Sequence, residues 1–188
     1  MNVLTRTGSK IVSLGEAKAN SRVTSTAENP LFSLWLDIAH EKVEYATNLV
    51  LQLSTCEQVF KEKCVDLHAP VRGIVSVTTY DADNSATVLV LNTDYHYTKT
   101  SKFGLRVTLT TTPVNYAVIQ YKAGFEDYTV GSDTGINTAD INAYSRAKYA
   151  ILLLTNHFYE NRGVVTDFEK YVLPHGLQDM LDSLLKYL

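Results

Sequence analysis

Leu105-Arg106-Val107-Thr108-Leu109-Thr110 alternates apolar and polar residues without a break. A period of two is the mark of a half-buried antiparallel strand, so Leu105, Val107 and Leu109 are expected to face a core. On either side, from about Gln58 to Lys122, β-branched and aromatic residues dominate. Ile74 to Tyr80 and Thr87 to Leu91 read as strands joined by the turn Tyr80-Asp81-Ala82-Asp83-Asn84-Ser85. Pro113-Val114-Asn115 separates the alternating strand from a further one, Tyr116 to Lys122. Ala123-Gly124 ends that strand, and Phe125 to Asn137 reads as a long glycine-bearing loop.

Beyond this block the period becomes helical in both directions. Ser13-Leu14-Gly15-Glu16 has the form of a capping box and predicts a short helix over 14–21. Asn29-Pro30 supplies an N-cap with proline at N1, and Leu31, Leu34, Trp35, Ile38, Tyr45, Ala46 and Leu49 follow at helical spacing. A helix over 30–51 is predicted with that stripe inward, leaving Asp37, His40, Glu41, Glu44 and Asn48 on a solvated or interface face. Thr138-Ala139-Asp140 opens a second long helix to about Asn161; its middle, Tyr149 to Leu154, is apolar all round and so expected to be buried. After Pro174 comes an amphipathic run with Leu177, Met180, Leu181, Leu184, Leu185 and Leu188 on one stripe. The order predicts one α+β domain over 1–188, a bundle of about four helices, two of them long, with a central antiparallel β-rich insertion. Its segments are N-terminal helices over 1–55, the β insertion over 56–125 and C-terminal helices over 138–188.

A chain of 188 residues with 45% hydrophobic and 20% charged residues has the composition of a globular domain. The longest apolar run, Tyr149 to Leu154, is far short of the roughly 18 residues of a membrane helix. Residues 1–10 lack an apolar signal core and no Asn-x-Ser/Thr acceptor occurs, so residence in a cytoplasm is expected. Seventeen basic against 20 acidic residues, a net charge of −3, argues against a protein that works by neutralising nucleic-acid phosphates. The signs are unevenly placed: Arg6, Lys10, Lys18 and Arg22 face Glu16 alone in residues 1–27, whereas residues 126–182 are acidic. That asymmetry reads either as a frayed basic terminus beside an acidic face or as a subunit stacking between oppositely charged surfaces. Cys56 and Cys64 read as small core or strand residues rather than a disulfide framework.

Chemistry-bearing motifs are weak. Phosphate-binding glycine loops, Gly-x-Ser-x-Gly and His-Glu-x-x-His are all missing from the sequence. Asp37, His40, Glu41 and Glu44 share one side of a helix and could approach a metal, but a solvated face with i,i+4 pairs explains them. Cys56, Cys64 and His68 match no common zinc spacing, and His157 with Glu160 reads as a helix-end polar cluster. Tyrosine is in excess, 12 residues, with Tyr80, Tyr95, Tyr97, Tyr116 and Tyr121 in or beside strands. Strand propensity explains that, as does an interface, where tyrosine brings rigid area with a polar tip. A single-strand platform would need a basic groove among the tyrosines, and Lys99, Lys102 and Arg106 offer a thin one.

Seven stretches in order then carry a resemblance. These are Leu14-Gly15-Glu16-Ala17-Lys18-Ala19-Asn20-Ser21-Arg22-Val23 with Ile38-Ala39-His40-Glu41-Lys42-Val43-Glu44-Tyr45-Ala46-Thr47, and Pro70-Val71-Arg72-Gly73-Ile74-Val75-Ser76-Val77 with Tyr80-Asp81-Ala82-Asp83. Val118-Ile119-Gln120-Tyr121-Lys122-Ala123-Gly124-Phe125 follows, then the long helix ending His157-Phe158-Tyr159-Glu160-Asn161-Arg162, then Leu173-Pro174-His175-Gly176-Leu177. Together they resemble the head–tail connector, or head-completion, family of tailed phages. The resemblance implies a structural virion protein without catalytic residues, metal or cofactor. It implies a ring of about a dozen copies beneath the portal protein that extends the DNA channel, lets DNA pass without sequence-specific binding, and docks the next neck or tail component. No membrane is involved, and the protein would wait in the host cytoplasm before assembly.

On that reading Asp37, Glu41, Glu44, Tyr95 and Tyr97 are candidate ring contacts. Leu177, Met180, Leu181, Leu184, Leu185 and Leu188 either pack the chain's own core or dock on the portal. Arg162, beside Glu160, is expected to be structural, pairing with an acid such as Glu44 to fix the crossing of the long helices. Two competing readings are a nucleic-acid-binding module using the basic N-terminus and the tyrosine-rich sheet, and a metal-dependent enzyme using the Asp37, His40 and Glu44 face.

Overall fold

A computed structural model describes residues 2–67, 70–100, 104–125, 138–161 and 176–185. The chain divides into two compact units, a β unit drawn from residues 2–9 and 52–125 and a helical unit drawn from 10–51, 138–161 and 176–185. The fold is α+β: among the described residues there are four helices and two antiparallel sheets.

The β unit begins with β1 (Asn2–Arg6) and continues with β2 (Ser54–Phe60), β3 (Cys64–Leu67), β4 (Val71–Tyr80), β5 (Ala86–Val88), β6 (Tyr95–Lys99), β7 (Leu105–Leu109) and β8 (Tyr116–Ala123). One sheet runs β1-β2-β8-β4-β5 and the other β3-β7-β6, every pair antiparallel. The alternating stretch is β7, the centre of the smaller sheet, with Val107 and Leu109 buried as their period requires. β8 is the centre of the larger sheet, and Ala117, Ile119, Tyr121 and Ala123 form its buried row. The turn after Tyr80 is closed by the Asp81 carboxylate, which accepts from the Asp83 and Ser85 amides at 3.0 and 2.8 Å.

β1 is a strand the sequence reading left without an element; it lies in the stretch assigned to N-terminal helices. Five residues with no clear alternation carry no period of their own. The strand is held by antiparallel pairing of Asn2, Val3, Thr5 and Arg6 with Glu57, Cys56, Thr55 and Ser54. Arg6 is therefore ordered in a sheet edge, not in a frayed basic tail.

The helical unit consists of α1 (Leu14–Asn20), α2 (Asn29–Thr47), α3 (Thr138–Glu160) and α4 (Leu177–Leu185). At α1 the predicted capping box is formed: Ser13 Oγ accepts from the Glu16 amide and a Glu16 carboxylate oxygen accepts from the Ser13 amide at 2.9 Å. The N-cap of α2 is Glu28 rather than Asn29, and the helix stops at Thr47 rather than 51. Asn48 takes the left-handed conformation with φ 54°, a C-terminal geometry asparagine tolerates. The Glu44 carboxylate turns back to accept from the Leu51 amide at 2.8 Å.

The inward face of α2 differs from the expected one. Phe32, Leu36, Ala39, His40, Val43 and Thr47 are buried, whereas Leu31, Leu34, Ile38 and Tyr45 are exposed and Trp35 is half-buried. Apolar side chains surround this helix, so two stripes satisfy the helical period, and packing against α3 selects the one carrying Phe32. The middle of α3 is buried at Ala150, Ile151 and Leu154, but Tyr149 is exposed and Leu152 and Leu153 are half-buried. α4 packs on both α2 and α3.

Candidate functional site

Among the described residues no three histidine, cysteine, aspartate or glutamate side chains gather where they could hold a metal ion. The helix face considered for that role is divided. His40 is buried with Nδ1 3.9 Å from Glu44, Asp37 is ion-paired with Lys10, and Glu41 faces solvent. Cys56 is buried on β2 and Cys64 is exposed on β3, while His68 lies outside the described residues. A cleft of about 220 Å³ in the β unit is lined by Tyr80, Asp81, Asp94, Thr110 and neighbours. Its two carboxylates already serve the backbone, Asp81 in its turn and Asp94 accepting from the Val90 amide at 2.9 Å.

Several basic residues are similarly engaged. Lys18 donates to Asn29 Oδ1 at 2.7 Å, and Arg106 makes a two-pronged contact with Asp66 across β3 and β7, both bonds 2.7 Å. Lys102 lies outside the described residues. The Arg106 guanidinium holds the Asp66 carboxyl below the usual carboxylate range.

Of the candidate ring contacts, Glu41 and Tyr97 are exposed, Asp37 is half-buried and Glu44 is largely buried. Tyr95 turns into the β unit, and burial first, then the neighbouring Tyr97, raises its hydroxyl pKa. Of the C-terminal stripe, Leu177, Leu181 and Leu184 are buried and Met180 is half-buried. That places three of the six leucine and methionine positions in the core of the helical unit, because α4 lies on α2 and α3. Docking through those three requires α4 to leave its place. The side chains of Leu185 and Leu188 lie outside the described residues. Glu160 is exposed and accepts from Asn156 Nδ2 at 2.9 Å, while Arg162, with its expected pairing to Glu44, lies outside them. Between the two long helices stands an aromatic cluster, with Phe32 5.0 Å and Trp35 6.0 Å from Tyr159 between ring centroids.

Two outward apolar surfaces were missed by the sequence reading. On α2 the stripe is Leu31, Leu34, Ile38 and Tyr45. On the larger sheet, register sets Val59, Val118, Thr78 and Val88 side by side across four strands, with Val59 and Val88 exposed. A strand reading finds the sheet row only once register is known; the helical stripe was visible but assigned to the wrong side.

No family model and no curated protein matches the sequence. Solved structures match in fold over nearly the whole chain. A chain in the neck of an empty gene transfer agent particle computed with C6 symmetry superposes with a TM-score of 0.66 at 15% identity, covering 98% of this chain and 95% of that one. This chain shares the fold of that neck chain. A chain from the virion of the native gene transfer agent particle gives 0.68 at 16% identity, over 97% and 93% of the two chains. A chain in the native neck computed with C12 symmetry gives 0.60 at 16% identity, over 98% and 94%.

Proposed function

We propose that this chain is a structural virion protein of the neck of a tailed, phage-like particle. Copies form a ring of about a dozen beneath the portal protein, lengthen the channel through which DNA passes without sequence-specific binding, and offer a docking surface to the next neck or tail component. The observation that carries the reading is the full-length match to chains of such particles, with nearly all of both partners covered. The C6 and C12 symmetry of those necks supports identical copies around an axis. The likeness to neck chains supports a structural rather than a catalytic role, and no helix among the described residues is long and apolar enough to cross a membrane. The portal contact on this reading draws on the C-terminal stripe through Met180 and the residues that follow α4, since Leu177, Leu181 and Leu184 fill the core.

The test is co-sedimentation of the purified chain with DNA-filled, tail-less heads carrying a portal from the same particle, followed by imaging. Ring-shaped density added at the portal vertex is expected. Folded protein that leaves intact portals bare rejects the proposal.

A further inference from the structure

We draw no further inference here: the strongest candidate, the outward apolar stripe of Leu31, Leu34, Ile38 and Tyr45 on α2, is an exposed helix face for which nothing in the structure shows what covers it.

Discussion

Gly124 lies so close to Gln52 that a Cβ built on it would overlap the carbonyl carbon and oxygen of that residue. Its φ of 117° is also one that side-chain-bearing residues rarely adopt. The contact sits where β8 ends and Phe125 bridges to Gln52, with the Gly124 amide donating to Pro70 O at 2.9 Å and Arg72 Nε donating to Gly124 O at 2.8 Å. The Ala-Gly-aromatic signature of the sequence is thus a crossing point of backbones. Gly124→Ala is expected to lower stability by more than about 2 kcal/mol in urea unfolding. Gly15→Ala, in α1 with open space around it, is expected to raise stability by about 0.5–1 kcal/mol. Equal effects at both sites would contradict the crossing.

The register of α2 can be tested by truncating its two stripes. Phe32→Ala, removing a fully buried ring that contacts Trp35 and Tyr159, is expected to cost about 3–5 kcal/mol. Leu31→Ala, one position away and exposed, is expected to change the stability of the unassembled chain by less than about 0.5 kcal/mol. Thermal melts of the two variants at low protein concentration decide between the stripes.

Capping at α1 gives a prediction with a pH sign. Ser13→Ala removes the acceptor for the Glu16 amide and is expected to cost about 1 kcal/mol. Burial pushes the Glu16 carboxyl up, but Lys148 and the Ser13 amide and hydroxyl together bring it below the ordinary glutamate value. A lowered folded pKa means that this contribution is present above the unfolded value and is lost as pH falls through the folded one. Chemical denaturation midpoints followed from neutral pH downward should therefore fall less steeply in Glu16→Gln than in the parent.

Asp66 and Arg106 predict the same direction in the β unit. The guanidinium holds Asp66 below its usual range, so the pair supports β3–β7 above that range and is lost on acidification. Both groups face water, and salt should shrink the effect. NMR titration of the Asp66 carboxyl should show the lowered pKa in the parent and its return toward the ordinary aspartate value in Arg106→Gln.

Removing residues 175–188 takes away Leu177, Leu181 and Leu184 from the helical core and is expected to destabilise that unit by several kcal/mol. Leu184→Ala alone should cost about 2–5 kcal/mol. A truncation with the parent's melting curve would show that α4 can leave its place and free this stripe for a partner.

Sequence alone settled what local chemistry controls. Strict alternation marked β7, the Ser13–Glu16 spacing marked the start of α1, and the long apolar middle of α3 marked a helix, because each signal lies within a few residues of its effect. The change of period along the chain was enough for the α+β class, and the missing motifs were enough to turn attention from chemistry to surfaces. Tertiary structure alone decided what depends on distant partners. Asn2–Arg6 becomes a strand because β2 stands beside it, Glu44 turns to the Leu51 amide because α2 ends early, and four valine and threonine positions form one row because register aligns them. Which stripe of α2 faces inward belongs to the same class. A helix with apolar residues on two sides has two equivalent solutions until a neighbour chooses, and α3 chose Phe32 over Leu34.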